Sequence, residues 1–348
     1  IRQESGEKVY TLVLDVGVNI ARQERGMSLE LSNREETLEI ELRQAAATEE
    51  YEYVLPVIFH VLYRVPEDDV PVGYLSSCLE RVNELYRDGP VDMNLKFVLA
   101  THDPNGQLLE EPGVRREFRE GLPMDMFDFV GNKFGDCAWI WDPKEYINVV
   151  IFDSKSILSG CAHFPYLPEC VVLPGVLFSD WYADHLPDAH VHCVAWNRSH
   201  MFSRYELLGV IFDYDVFTLA HEMGHYLGLL HPFVDGKGNF GDYCDDTPDY
   251  CVNGYETFLS ELDETFPYSD DNYRKVIQRV ALNGRVFIAD NIMDYEFGYL
   301  DRFTLEQRKR VRTVLENAWL LPGPKIEVEP RARSGKKAVK PSVPKPVS

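Results

Sequence analysis

The chain has 348 residues and a formal net charge of −22, with 45% hydrophobic and 12% aromatic residues. This composition is typical of a globular protein with a substantial core and excludes an intrinsically disordered chain. The excess of carboxylates argues against a nucleic-acid-binding protein, which needs a basic surface for the phosphates, and no apolar run is long enough to span a bilayer. The acidity itself is explained either by a solubilising surface or by an acidic cleft and calcium sites.

Residues 1–53 differ in pattern from the rest of the chain. Val9–Val18 is apolar and rich in β-branched residues, which predicts a strand, and Ser32–Glu35 has capping-box spacing, which predicts a helix to about Thr48. The chain begins at Ile1 without a methionine, so we expect that an upstream segment such as a secretory signal was removed. We interpret the region as a propeptide; the alternative is an N-terminal extension that only packs on the surface.

From Val54 the pattern becomes that of an α/β domain. Long apolar runs predict buried strands, and apolar residues at helical spacing predict an amphipathic helix beside them. One strand is expected at the sheet edge, next to a cleft, where an extended peptide can pair with it. The predicted strands are Val54–Tyr63, Asn94–Ala100, Tyr146–Phe152, Val171–Phe178 and His190–Trp196, and the predicted helix is Tyr74–Tyr86.

The chain contains seven cysteines, and none forms a C-x-x-C pair, so a second zinc site of the cysteine type is not expected. Their clustering predicts disulfides in an oxidising compartment, with Cys244–Cys251 as the favoured bridge. The odd number leaves at least one thiol unpaired. We therefore expect a secreted, extracellular protein.

The stretch from His221 to His231 reads H-E-x-x-H-x-x-G-x-x-H. On a predicted helix, Asp213–Leu230, His221 and His225 share one face, so both imidazoles can bind one ion. Gly228, near the end of that segment, can adopt a left-handed turn, which lets His231 return as a third ligand. Three protein ligands leave Zn²⁺ one open position for water, which is typical of a catalytic site and not of a structural one.

The segments after the third histidine differ in composition from the domain before it. Asp235–Asp249 is rich in glycine and aspartate, which suits calcium although the spacing is not that of an EF-hand; the alternative is a solvated acidic loop. Thr304–Gln307 has capping-box spacing and predicts a final helix to about Trp319. Residues 322–348 are rich in Pro, Lys and Ser, and we interpret them as a flexible tail, either a linker to a further module or a solvated end.

Taken together, these motifs resemble the pappalysin family of metzincin metallopeptidases. The resemblance covers roughly residues 55–320 and is specific from about residue 215 onward. The segments that carry it are Leu219–His231, Gly241–Asp242 with Asp246–Pro248, Asn291–Tyr295, and Phe303–Gln307.

The resemblance implies an α/β (α+β) fold, with a metzincin-type catalytic domain at residues 54–321. Its N-terminal subdomain, 54–231, would hold a twisted five-stranded mixed sheet, a backing helix and the active-site helix. A smaller C-terminal subdomain, 232–321, would hold the Met-turn and the final helix. The cleft would run between the two subdomains.

The resemblance also implies roles for single residues. Glu222 would act as general base and acid, Tyr295 would stabilise the transition state, and Met293 would form the Met-turn beneath the metal. The implied zinc ligands are His221, His225 and His231. The implied calcium ligands are the side chains of Asp242 and Thr247 and the main-chain carbonyls of Gly241 and Asp245.

Two further roles concern specificity and latency. The carboxylates after the Met-turn lie in the region that walls the primed-side pocket of metzincins, where they would favour a basic side chain after the cleaved bond; surface charge is the alternative. These residues are Asp294, Glu296 and Asp301. Latency through a cysteine on zinc is excluded for residues 1–53, because the first cysteine is Cys78; Asp15, the one aspartate there, is the candidate instead.

The expected function is that of a secreted zinc endopeptidase, made as a latent zymogen, that hydrolyses peptide bonds in protein or peptide substrates. The alternative is a non-catalytic extracellular binding protein that keeps zinc and calcium for stability. Such a protein is expected to have lost the glutamate or a ligand of the zinc motif, and neither is lost here. No feature of the sequence indicates an oligomeric state.

Overall fold

The computed structural model describes residues 2–4, 7–9, 27–34, 37–44, 51–131, 140–185, 192–202, 204–207, 210–236, 240–260, 270–295 and 297–325. The chain forms two compact units, Ile1–Glu52 and Tyr53–Ser348. The strands are β1 Arg2–Glu4, β2 Glu7–Val9, β3 Met27–Arg34, β4 Thr37–Gln44, β5 Tyr53–Tyr63, β6 Leu95–Leu99, β7 Val114–Phe118, β8 Ile147–Phe152, β9 Gly160–Ala162, β10 Tyr166–Leu167, β11 Leu177–Phe178, β12 Val194–Asn197, β13 Arg204–Leu207, β14 Val210–Asp213, β15 Phe233–Val234, β16 Tyr250–Cys251, β17 Gln278–Val280 and β18 Val286–Ile288. The helices are α1 Val72–Arg87, α2 Met126–Val130, α3 Tyr214–Tyr226, α4 Val252–Ser260, α5 Asp270–Val276 and α6 Leu305–Asn317.

The first unit contains two antiparallel hairpins, β1 with β2 and β3 with β4. The helix predicted from Ser32 to about Thr48 is wrong, because β3 and β4 occupy most of that range. Leu38, Ile40 and Leu42 alternate with polar residues, and this strand period outweighs the capping-box spacing before it. The other predictions for this unit, the latency residue Asp15 and most of the Val9–Val18 strand, fall outside the described residues.

The second unit is organised around a six-stranded mixed sheet, in which five strands follow the order β6-β5-β8-β12-β9 and β7 also pairs with β5. β5 runs parallel to β6, β7 and β8, and β12 runs parallel to β8. β9 runs antiparallel to β12 and ends this strand order. β8 is buried along its whole length, which explains its continuous apolar run. The predicted α/β fold with a mixed sheet is confirmed.

Two predicted strands differ from the structure. In Val171–Phe178 only the last two residues are extended, as β11, and they pair with β10 in a separate two-stranded sheet. Pro174 and Gly175, whose φ is +76°, interrupt that apolar run. Of His190–Trp196, only the last three residues belong to β12. β7 was not predicted, and β9 has three residues, too few for a periodic pattern.

The core lies between the sheet and the helices α1 and α3, and it continues toward α6. A single apolar cluster includes Leu79 of α1, Leu219 of α3, Met293 and Val311 of α6. The helix that carries the metal motif is therefore packed against the sheet on one side and linked through Met293 to the last helix. The final helix has the predicted capping box at Thr304. None of the described helices combines the length and the apolar character that a membrane crossing requires.

The predicted Cys244–Cys251 disulfide is not formed, and both thiols are free. Cys244 is buried: its main-chain N–H donates to Oδ1 of Asp242 at 3.0 Å, and its Sγ lies 3.6 Å from the Asp242 carbonyl oxygen. Cys251 is exposed at the end of β16. The subdomain boundary after residue 231 and the role of the tail stay predictions; residues 326–348 lie outside the described range.

Candidate metal centre and active site

Helix α3 and the turn after it bring three histidines together. His221 and His225 lie one helical turn apart, with ring centroids 4.6 Å from each other. Gly228 has a φ of +87°, which turns the chain back after the helix. Nε2 of His231 then lies 3.2 Å from Nε2 of His221 and 2.9 Å from Nε2 of His225. Within the described part of the chain, these are the His, Cys, Asp or Glu side chains grouped closely enough to hold an ion.

The hydrogen bonds of the rings show that this arrangement fits a cation. Nδ1 of His221 lies 2.9 Å from the Ile292 carbonyl, and Nδ1 of His225 lies 2.8 Å from the Leu229 carbonyl. A carbonyl only accepts, so each Nδ1 carries the proton and each Nε2 points a lone pair at His231. Burial lowers the pKa of His221 to about 4, which keeps that ring neutral near pH 7. Tetrahedral Zn²⁺ with Zn–N bonds of about 2.0–2.1 Å puts two nitrogens about 3.3 Å apart, close to the observed spacing.

Glu222 is buried beside the histidines and lies against the edge strand β9. It is 4% exposed, and no donor among the described residues bonds to its Oε2. Burial raises the pKa of this carboxyl well above its usual value. A methyl group added at Gly160 would lie 2.7 Å from Cγ of Glu222. A buried carboxylate oxygen without a protein donor can accept a proton from a water that reaches it.

The Met-turn packs directly beneath α3. Met293 is fully buried, and a Cβ at Gly224 would overlap its sulfur, so the glycine allows the close approach. The main-chain N–H of Met293 donates to Oδ1 of Asn291 at 2.9 Å. Asn291 and Gln307 form two reciprocal amide hydrogen bonds, of 2.8 and 3.0 Å, which join the turn to the start of α6.

Tyr295 follows the Met-turn, and its ring lies beside two of the three clustered histidines. Its centroid lies 4.5 Å from that of His231 and 5.9 Å from that of His221. Its backbone is held by Arg279, which is 2% exposed and donates from Nη2 to the carbonyls of Tyr295, at 3.2 Å, and Phe297, at 2.9 Å. Sequence reasoning missed Arg279. The sequence offered no signal for it, because the alternation of Gln278, Arg279 and Val280 favours an inward valine, whereas the structure buries the arginine and exposes its neighbours.

The three carboxylates assigned to specificity lie in different surroundings. Asp294 is buried; its Oδ1 accepts from the hydroxyl of Tyr250 at 2.5 Å and from the main-chain N–H of Tyr295 at 2.7 Å. Asp301 is half exposed, and its Oδ1 lies 3.1 Å from Nε of Arg302. Glu296 falls outside the described residues. Asp294 therefore accepts hydrogen bonds that hold the turn next to Tyr250. The assignment of the three carboxylates to specificity stays a prediction.

Residues of the segment predicted to bind calcium form hydrogen bonds with one another and with the start of α6. Oδ1 of the buried Asp242 accepts from the hydroxyl of Thr247 at 2.7 Å, and its Oδ2 accepts from the amide of Gln307 at 3.3 Å. Burial raises the pKa of Asp242 to about 6. Gly241 has a φ of +86°, and the main-chain N–H of Asp245 donates to Glu306 at 2.5 Å. These contacts give the calcium prediction no support. They instead join Asp242 to the Gln307 amide, which is also hydrogen-bonded to Asn291 of the Met-turn.

Arg310 is a second residue that sequence reasoning missed. It lies on the buried face of α6 and donates from Nε to the Gly228 carbonyl and from Nη2 to the Pro174 carbonyl, each at 2.6 Å. Burial lowers the pKa of its guanidinium. A charged residue one position before Val311 in the apolar stripe was the available signal. Arg310 therefore fixes the turn from which His231 returns to the metal centre.

Replacing Gly228 with alanine is expected to weaken both folding and metal binding. The left-handed φ alone costs a side chain about 1–2 kcal/mol, and the new methyl would lie 2.7 Å from Cγ2 of Val314. The matched control is Gly236→Ala, because Gly236 has a φ of +69° with open space around it. Urea unfolding and zinc content by mass spectrometry would check this; equal losses in the two variants would contradict it.

Similar proteins are known for most of the second unit. The peptidase M43 family, described as pregnancy-associated plasma protein-A, matches residues 136–316, just over half of the chain. An extracellular metalloprotease of Verticillium alfalfae is 27% identical over 241 residues, which cover 63% of this chain and 70% of that protein.

Two solved structures have a similar fold. A promirolysin mutant of Tannerella forsythia has a TM-score of 0.52 and 20% identity, over 78% of this chain and 83% of its own. Mirolysin in complex with compound 9 has a TM-score of 0.50 and 21% identity, over 76% of this chain and 92% of its own.

Proposed function

This chain belongs to the pregnancy-associated plasma protein-A family of metallopeptidases, and from that premise we propose that it is a zinc-dependent endopeptidase that acts on proteins outside the cell. The observation that carries the proposal is the group of three imidazole nitrogens whose lone pairs converge beside a buried carboxylate. The chain's similarity to an extracellular metalloprotease supports the extracellular location.

In this proposal His221, His225 and His231 hold the ion. Zn²⁺, when bound, supplies Lewis acidity, which makes water a stronger nucleophile near neutral pH and polarises a carbonyl group. Oε2 of Glu222 takes the proton from the attacking water and returns it to the leaving nitrogen. The hydroxyl of Tyr295 donates a hydrogen bond to the oxygen on which negative charge develops. The edge strand β9 offers its main-chain groups to an extended peptide.

The alternative is an extracellular binding protein without activity that keeps the ion for stability. Glu222 speaks against it, because burying a carboxyl without a donor for Oε2 destabilises a fold that has no catalytic use for the group. A binding protein would gain stability from an apolar residue at this position.

We also propose that Ile1–Glu52 is a propeptide that keeps the chain latent. The first unit is compact by itself, so its release leaves the second unit whole. Tyr51 is 53% exposed, whereas Tyr53 is 2% exposed and belongs to the core. Cleavage before Tyr53 therefore removes no core side chain of the second unit. Asp15 is the residue that we propose as the zinc-blocking group.

The test is digestion of a denatured protein mixture, followed by mass spectrometry of the new termini. Both the full chain and a form trimmed to start at Tyr53 are assayed, each with a zinc chelator and again after zinc is added back. We expect cleavage by the trimmed form that the chelator stops and zinc restores, and little cleavage by the full chain. Cleavage that resists the chelator, or none from either form, would contradict the peptidase. Equal activity of the two forms would contradict latency alone.

A further inference from the structure

Gly160 lies closer to Glu222 than any residue with a side chain could. A methyl group at this position would lie 2.7 Å from Cγ, 3.0 Å from Cδ and 3.0 Å from Oε1 of Glu222. The backbone does not require a glycine, because Gly160 is not among the residues with positive φ. The close approach of the glutamate is therefore the physical reason for a glycine in this strand.

Asn197 holds the loop that leads into Gly160. It is fully buried at the end of β12, and each polar atom of its side chain is used. Its main-chain N–H also donates to the Ser159 carbonyl at 2.8 Å, one residue before Gly160. The side-chain contacts are Oδ1 with the N–H groups of Ser154 (3.0 Å) and Ser199 (3.1 Å), and Nδ2 with the carbonyls of Ser156 (3.2 Å) and Leu158 (3.0 Å).

Asn197 is also the first residue of an N-x-S glycosylation pattern, Asn197-Arg198-Ser199. A glycan needs an exposed amide in a surface loop. Here both amide hydrogens are donated to carbonyls inside the loop, and the side chain has no exposed surface. Asn197 therefore holds the loop before β9 through hydrogen bonds, and its amide is not accessible to a glycan.

We propose that Gly160 is a positioning residue for Glu222. Within the part of the chain that the structure describes, no group donates to Oε2 of Glu222, so hydrogen bonds to these residues do not fix that oxygen. Gly160 limits how far the Glu222 side chain can move toward β9, and Asn197 holds the loop that leads into Gly160. Together they set the distance between the carboxylate and the histidines. This inference rests on the proposed function, in which Glu222 moves the proton. It also predicts that a side chain at this position displaces the carboxylate of Glu222.

The kinetic test is Gly160→Ala, assayed in the form trimmed to start at Tyr53. Because displacement of a reacting group by about 1 Å costs on the order of 100-fold in rate, we expect kcat to fall by about that factor. KM is expected to stay within about twofold and zinc content at one ion per chain, because alanine keeps the main-chain groups that β9 offers to a peptide, its methyl meets Glu222, and the three histidines are unchanged. The control is Gly113→Ala: its φ is +71° and its methyl would meet Cδ2 of Leu99 at 2.5 Å, so it lowers Tm but leaves kcat unchanged.

A thermal cycle tests the same contact without any activity. Gly160→Ala is made in the wild-type chain and in Glu222→Ala, and the loss of Tm is expected to shrink by at least about half in the second background, because the crowded side chain is gone. If Gly160→Ala does not fold alone, folding of the double variant supports the contact and its failure to fold overturns it.

Equal losses of Tm in the two backgrounds, or an unchanged kcat in Gly160→Ala, would overturn the proposal. A wild-type chain without peptidase activity both before and after trimming to Tyr53 would instead overturn the proposed function, while the thermal cycle would still report on the contact.

Discussion

Replacing Glu222 with glutamine is expected to lower kcat by about 10²–10⁴-fold, the usual contribution of general acid–base catalysis, while the chain still binds one Zn²⁺. Glutamine has the same shape but cannot accept the proton from water. His221 and His225 keep their Nδ1 hydrogen bonds to the backbone, so these ligands stay in place. Folding is expected to be stabilised or unchanged, because a buried carboxyl is replaced by a neutral amide.

Steady-state kinetics on a peptide substrate, zinc content and Tm are measured together for this variant. The matched control is Asp215→Asn, a second buried carboxyl of α3, which accepts from the main-chain N–H of Phe202 at 2.6 Å in the first turn of the helix. That variant is expected to lose stability and to keep its kcat. A Glu222→Gln chain that cleaves at the wild-type rate would remove Glu222 from the mechanism.

Replacing Arg279 with methionine is expected to lower the free energy of unfolding by about 3–5 kcal/mol, as when one partner of a buried ionic group is removed. The carbonyls of Tyr295 and Phe297 lose their donor, and the buried Asp294 loses a nearby positive charge. The guanidinium also lies 3.5 Å from the ring centroid of Tyr255, so cation–π attraction is lost as well.

Urea unfolding at neutral pH checks this value, with Arg285→Met as control because Arg285 is exposed in the same hairpin. Adding Asp294→Asn to Arg279→Met is expected to recover part of the loss, since the uncompensated carboxylate is then gone. Similar losses of unfolding free energy in the Arg279 and Arg285 variants would contradict the prediction, because the buried arginine would then contribute no more than the exposed one.

The sequence predicted the parts of the site that depend on local spacing. The interval of four between His221 and His225 belongs to the helix, and the turn glycine follows from the chain reversal that His231 needs. The long strands were also predictable, because a buried parallel strand such as β8 requires an uninterrupted apolar run.

The parts that could not be predicted depend on contacts between distant segments. Arg310 donates a hydrogen bond to the carbonyl of Gly228, which lies 82 positions earlier in the chain, and no local sequence pattern predicts that contact. Gly160 is explained only by the side chain that lies against it. The hairpin of β3 and β4 was missed for a different reason, since a capping-box pattern of four residues was given more weight than the alternation after it.

The two hydrogen bonds between the side-chain amides of Asn291 and Gln307 join the Met-turn to α6, and neither side chain carries a charge. Neither side chain has a proton equilibrium in the range that proteins experience, and dissolved ions do not screen an amide pair as they screen an ion pair. The amide pair itself therefore keeps its hydrogen bonds across a wide range of pH and salt; its titratable neighbour is Asp242, whose Oδ2 accepts from the same Gln307 amide and whose pKa burial raises to about 6. The Met-turn is thus attached to α6 by a contact that needs no ion pair, and only the carboxyl beside it responds to pH.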